Sequence, residues 1–145
     1  MSTPRAELGV EVLNNCLYAV GGCYDNGDSS QLKSVECYDP RLGIWTPVAD
    51  MSVCRAGAGV RLMDGIMYAV GGLNETGILK SVEVYKPSSG VWTSIADMHM
   101  CRWRPGVIEC DGLLHVLGGS YEMGEEQKDS VEIYNPNTNT WTMEY

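Results

Sequence analysis

Three arginines and three glutamates recur at matching places along this chain. Arg5, Arg55 and Arg102 are followed 31, 28 and 30 residues later by Glu36, Glu83 and Glu132. Each glutamate lies in an alternating apolar stretch, Val35-Glu36-Cys37-Tyr38 in the first instance, in which Val35 and Cys37 face one way and Glu36 and Tyr38 the other. Where both faces of a sheet are covered by neighbours, such a carboxylate is buried and needs a partner, and the repeated arginine is expected to supply it. Other chemistry is sparse. The only histidines are His99 and His115, and no nucleophile elbow or Gly-rich phosphate loop is present. His115 stands at the place of Tyr18 and Tyr68 in the repeat described below and is read as a packing residue. The six cysteines, at 16, 23, 37, 54, 101 and 110, contain no C-x-x-C pair or zinc-type spacing, so free thiols are expected. No catalytic residue, metal site or cofactor is predicted, and the chain is read as a non-enzyme.

The elements that position these residues come from a repeat. Leu17-Tyr18-Ala19-Val20-Gly21-Gly22 returns as Met67-Tyr68-Ala69-Val70-Gly71-Gly72 and as Leu114-His115-Val116-Leu117-Gly118-Gly119. The 145 residues are therefore three copies of one unit, divided at 1–50, 51–97 and 98–145. Units of this length bury their apolar faces only against neighbours. Within each unit the segments are short, β-branched and interrupted by turn residues, which predicts four strands. They fall near 7–13, 16–21, 34–38 and 44–48, then 57–63, 66–71, 81–85 and 91–95, then 105–110, 113–118, 130–134 and 140–144. Asn14-Asn15, Asp64-Gly65 and Asp111-Gly112 read as tight hairpins. Asp39-Pro40, Lys86-Pro87 and Asn135-Pro136 open the last turn of each unit, and the preceding Tyr is expected to end its strand.

Charge narrows the partners. A net charge of -9 and a pI near 4.5 argue against nucleic-acid backbones and anionic membranes, both of which attract clustered Lys and Arg. A basic peptide suits this balance, as does simple solubility. No signal-peptide pattern or membrane-length apolar run is visible, so a cytoplasmic protein is expected.

The ordered marks Arg-x-Gly-x-Gly-Val, Tyr-Ala-Val-Gly-Gly, Ser-Val-Glu-x-Tyr-x-Pro and Trp-Thr, best preserved at Arg55 to Thr93, resemble the kelch repeat. The closest likeness is to the kelch-like family of BTB-domain proteins. The resemblance implies an all-β fold: three four-stranded antiparallel kelch blades, half of a six-bladed β-propeller. Met1 occupies the repeat position of Met51 and Met98, as an interior residue of a longer protein would. An open half-ring would expose outer sheet faces carrying aromatics, and two copies related by a two-fold axis could complete six blades as a homodimer. The alternative is a piece of a longer chain.

The resemblance further implies a protein-interaction module, the substrate-recognition part of a cullin-type ubiquitin ligase adaptor, with the cullin engaged through a BTB region absent from these residues. An actin-binding, cytoskeleton-associated role is the alternative. In such propellers the protein substrate docks on the loops entering the innermost strand and those following Gly-Gly. Carried onto this chain, the partner-binding residues are Arg5, Arg55, Arg102, Trp103 and Arg104, with Tyr24, Asp25, Asn74, Glu75, Tyr121, Glu122 and Glu125. Trp103 stands where the other units have Ala6 and Ala56, and is either an exposed anchor or packed into a neighbouring blade.

Overall fold

Residues 1–24, 30–122 and 130–144 are described in a computed structural model, together with the backbone of 125–126. The first unit holds β1 (Gly9–Leu13), β2 (Cys16–Val20), β3 (Cys23–Tyr24), β4 (Ser30–Gln31), β5 (Val35–Asp39) and β6 (Ile44–Val48). The second holds β7 (Gly59–Met63), β8 (Ile66–Val70), β9 (Leu73–Asn74), β10 (Gly77–Ile78), β11 (Val82–Lys86) and β12 (Val91–Ser94). The third holds β13 (Gly106–Cys110), β14 (Leu113–Leu117), β15 (Ser120–Glu122), β16 (Glu125–Glu126), β17 (Val131–Asn135) and β18 (Thr140–Glu144). Three four-stranded antiparallel sheets result, in the orders β1-β2-β5-β6, β7-β8-β11-β12 and β13-β14-β17-β18. These are the blades. No helix occurs among the described residues.

Local sequence explains the strand connections. Asn14 and Asn15 have φ of 52° and 62°, and Asp64 and Asp111 have 50° and 52° ahead of their glycines, which is the left-handed backbone that a two-residue hairpin needs. The third strand of each blade runs one residue past its tyrosine: Asp39 pairs with Ile44, Lys86 with Val91 and Asn135 with Thr140. The following proline, lacking an amide hydrogen, is what ends it. The stretch after each Gly-Gly, expected as a polar loop, folds into a short ribbon, β3 with β4, β9 with β10 and β15 with β16. Strands of two or three residues carry no periodicity from which they could be read.

Alternation along the strands then packs blade on blade. Leu13, Tyr18, Val20 and Val35 of the first blade meet Met67, Ala69, Tyr85 and Trp92 of the second. Met63, Tyr68, Val70, Val82 and Val84 repeat the arrangement against Leu114, Val116, Tyr134 and Trp141. Tyr18 lies 6.1 Å from Tyr85, and Tyr68 lies 5.9 Å from Tyr134, between ring centroids. The indole nitrogen of Trp92 donates to the Ala49 carbonyl at 3.0 Å, and that of Trp141 to Ala96 at 2.8 Å, so each tryptophan also pins the linker that enters its blade. The aromatics expected on both open faces occur on one. Tyr38 and Trp45 lie on the first blade's face, whereas Tyr134 and Trp141 of the third point into the core, because strand alternation turns Val131 and Ile133 outward in their place.

Innermost strands approach most closely at glycine. A Cβ on Gly59 would collide with Cγ2 of Val107 across the seam between the second and third blades. Gly59→Val is therefore expected to lower stability by about 1–3 kcal/mol, the usual range for overpacking a filled site. Urea unfolding measures this, and a midpoint equal to that of the unsubstituted chain would contradict the packing.

Candidate partner-binding rim

Each blade is clamped by a guanidinium. Arg55 donates from Nε and Nη2 to Glu83 Oε2 at 3.2 and 3.1 Å, from Nη1 to the Gly71 and Ser81 carbonyls at 2.9 and 2.8 Å, and from Nη2 to Ser81 Oγ at 3.0 Å. Arg5 does the same with Glu36, Gly21 and Ser34, and Arg102 bonds the Gly118 carbonyl and Ser130 likewise while meeting Glu132 Oε2 from Nε at 3.0 Å. The other glutamate oxygen accepts from the segment that enters the blade: Glu36 from the Ser2 amide and hydroxyl, Glu83 from the Ser52 amide and Glu132 from the His99 amide. The expected pairing is thus present three times. Its consequence is a correction: Arg5, Arg55 and Arg102, expected to meet a partner on the rim, have side chains at most 1% exposed. A carboxylate buried in the sheet stack would be uncompensated without them, so their donors are turned inward.

The same arginines join the blades through their carbonyls. Gly22 donates to the Arg55 carbonyl and Gly72 to that of Arg102, both at 2.8 Å. At Gly71, with φ of 63°, an added Cβ would strike the Arg102 carbonyl, which is why the strand ends in glycine there. Nearer the axis, Glu7, Gly57 and Arg104 occupy one repeat position, all with positive φ, and form a ladder in which Gly57 donates to Glu7 at 2.9 Å and Arg104 to Gly57 at 2.8 Å.

On this frame the rim is built. Ala6, Ala56 and Trp103 bridge to Cys23, Leu73 and Ser120, which fixes the start of each ribbon beside its own blade. Trp103 lies over Gly57 of the second blade, and its indole nitrogen donates to Glu7 Oε2 of the first at 3.2 Å. The Arg104 guanidinium covers the Trp103 ring 4.2 Å from its centroid and pairs with Glu7 Oε1. Trp103 is half-buried and Arg104 exposed, so the two expectations for Trp103 combine: it packs on its neighbours and still presents an edge. Sequence reasoning missed Glu7. Its signal was the shared repeat position of Glu7, Gly57 and Arg104, with opposite charges on either side of a glycine that leaves room for an indole.

Farther out, Tyr24 and Asn74 are half-buried, whereas Glu75, Tyr121 and Glu122 are exposed. Asn74 is held by the Cys54 carbonyl at 3.1 Å, and its Oδ1 accepts from the Thr76 amide and hydroxyl at 2.9 and 2.6 Å, which shapes the ribbon tip. A depression of about 340 Å³ between the first two blades is lined by Lys33, Ser52, Cys54, Asn74, Glu75 and Leu79. Glu125 pairs with Glu122 through the backbone of β16, and Asp25 lies outside the described residues. Among the described residues no disulfide joins any of the six cysteines. Among the described residues no group of three or more His, Cys, Asp or Glu could hold a metal ion, and no helix is long and apolar enough to cross a membrane.

Three wedge-like antiparallel sheets, each clamped by a buried Arg–Glu pair and packed face to face around an axis, define a kelch-type β-propeller architecture. The Kelch motif matches residues 4–52, 54–99 and 102–144, and the chain belongs to that family. "Kelch repeat and BTB domain-containing protein 8" of Danio rerio is 48% identical over 52 residues, 34% of this chain and 9% of that protein. "Kelch-like ECH-associated protein 1B" of Danio rerio is 40% identical over 57 residues, 38% of this chain and 10% of that protein. The chain thus matches about a tenth of the length of these curated relatives. The solved structure of YjhT superposes with a TM-score of 0.86 at 17% identity, covering 98% of this chain and 52% of that one, a likeness of fold alone.

The clamp of the first blade also sets a pH dependence. Burial alone would raise the Glu36 carboxyl, but the Ser2 hydroxyl and amide and the Arg5 guanidinium outweigh it and lower its pKa to about 2. A carboxylate depressed in the folded state contributes stability that is complete above its unfolded pKa, near 4.5, and is lost as pH falls toward 2. Thermal midpoints are expected to fall across that window, with a shallower slope in Glu36→Gln. Identical slopes would remove Glu36 as the cause.

Proposed function

We propose that the rim captures a protein partner, and that the chain is the substrate-recognition part of a cullin-type ubiquitin ligase adaptor. The observation that carries this reading is the Trp103–Arg104–Glu7 cluster. It sets an aromatic edge and a charged pair on a frame tied to all three blades, where Glu7, Gly57 and Arg104 also line a depression of about 240 Å³. Half-exposed tryptophan and arginine on a rigid support are the residue types that dominate binding energy at protein interfaces. Exposed Glu75 and Glu122, on the second and third blades, favour a partner segment carrying Lys or Arg. Relatives that join kelch repeats to a BTB domain support the adaptor assignment, with the cullin engaged outside these residues and the complex in the cytoplasm.

Actin binding has less support. On a chain of net charge -9 it needs a local basic patch, yet Arg102 is buried and Arg104 is paired with Glu7.

Affinity capture from cell lysate, followed by titration of the captured protein, tests the reading. Arg104→Ala and the double substitution Glu75→Lys with Glu122→Lys are each expected to weaken binding by about tenfold or more, a loss of roughly 1.4 kcal/mol, with unchanged thermal midpoints. Co-precipitation of a cullin with the chain in its native cellular context is the second expected result. Undiminished capture by both variants would overturn the rim assignment, and absence of a cullin would overturn the adaptor role.

A further inference from the structure

The two seams between blades carry a charge pattern that neither the clamps nor the Trp103 cluster uses. Lys33 and Lys80 hold one repeat position, just before β5 and β11, and Glu75 and Glu122 hold another, just after Gly71-Gly72 and Gly118-Gly119. All four are exposed. Among the described residues none of the four side chains forms a hydrogen bond or an ion pair.

Backbone bonds bring each lysine to the glutamate of the following blade. The Lys33 carbonyl accepts the Met51 amide and the Lys80 carbonyl that of Met98, both at 2.9 Å, so each lysine sits against the segment that enters the next blade. That same segment holds the ribbon on its other side. Ala56 exchanges backbone bonds with Leu73 at 2.9 and 2.8 Å, and Trp103 with Ser120 at 2.8 Å each way, which carries Glu75 and Glu122 to the entering segments. At the first seam Lys33 and Glu75 line one cleft of about 340 Å³, together with Ser52, Cys54 and Thr76. Along the rim the exposed charges therefore run Lys33, Glu75, Lys80, Glu122, alternating in sign.

Positive charge is scarce in this chain, which makes its placement informative. Arg5, Arg55 and Arg102 are buried in the clamps, and Arg41 and Arg104 are paired with Asp39 and Glu7. Among the cations left over, one stands at each seam. A uniformly basic partner would meet Lys33 and Lys80 as like charges, and a uniformly acidic one would meet Glu75 and Glu122 in the same way. A segment carrying both signs in turn meets neither.

We propose that the seams read an extended partner segment in which acidic and basic side chains alternate. Its carboxylates face Lys33 and Lys80, and its Lys or Arg side chains face Glu75 and Glu122. This rests on the reading of the rim as a protein-binding surface and adds the charge pattern of the partner. Because the second seam repeats the first one blade farther on, the two together fix the register of the segment.

Fluorescence anisotropy with short labelled peptides of equal length tests this: one alternates Glu with Arg, one Gln with Arg and one Glu with Gln. The Glu–Arg peptide is expected to bind at least tenfold more tightly than either of the others. It is also expected to slow alkylation by iodoacetamide at Cys54, which lines the first cleft, and not at exposed Cys110 at the far end of β13. Lys33→Gln with Lys80→Gln is expected to weaken the Glu–Arg peptide at least tenfold, although the added net negative charge would strengthen a partner held by overall charge alone. Glu75→Gln with Glu122→Gln is expected to weaken it as much.

Equal binding of the Gln–Arg peptide overturns the proposal. So does Glu–Arg binding that survives the two lysine substitutions, alkylation of Cys54 at an unchanged rate under saturating peptide, or no binding of the Glu–Arg peptide at all. The protein captured on the rim separates this failure from failure of the rim itself. If it is lost with Glu75→Lys and Glu122→Lys yet kept with Lys33→Gln and Lys80→Gln, the charge pattern is overturned and the rim reading stands.

Discussion

A carboxylate buried in a sheet stack is the constraint from which the rest of this structure follows. Glu36, Glu83 and Glu132 lie in the third strands of their blades, and each is matched by an arginine from the segment that enters the blade. Removing both charges from water is costly, and a lone buried charge is costlier still, so the geometry must satisfy nearly every donor and acceptor. It does so by drawing in the Gly-Gly carbonyl, the serine before the Val-Glu strand and the entering backbone. One guanidinium thereby fixes the end of the second strand, the start of the third and the approach to the first. The carbonyl of the same residue receives the preceding blade's glycine amide, so the internal clamp and the seam depend on a single side chain and its backbone.

That arrangement assigns the rim chemistry to other residues. With the repeated arginines consumed inside the blades, what the rim offers is set by the position one or two residues later and by the ribbons after Gly-Gly. In the first two blades the position after the arginine is alanine, and in the third it is Trp103. The indole is accommodated because Gly57 leaves room beneath it, and it is oriented because Glu7 accepts its N–H. Residues from three blades meet at one point, so a change in any blade is felt there. Tyrosines in the seams add to this rigidity; burial, with Tyr134 and Asp64 nearby, pushes the Tyr68 hydroxyl up to about 12, so it stays neutral in the core.

Much of the local structure was legible in the chain because it depends on near neighbours. Asn14-Asn15, Asp64-Gly65 and Asp111-Gly112 can form only tight hairpins between apolar runs, and twofold alternation places Glu36 with Tyr38. Threefold repetition then made a stacked array the only way to bury both faces. Those three properties, with the absence of a helical period, determined the blades and the arginine–glutamate pairing.

Tertiary structure decided what alternation cannot express. Alternation says that a side chain leaves one face of a strand, and it is silent on which neighbour arrives there. The inward turn of Arg5, Arg55 and Arg102 and the closing of Glu7 on Trp103 from 96 residues away are outcomes of packing between units. So is the contrast between Gly59, filled by Val107, and Gly106, which meets open space. Identical residues at identical repeat positions differ only in whether another sheet lies against them, and that is a property of the assembled blades.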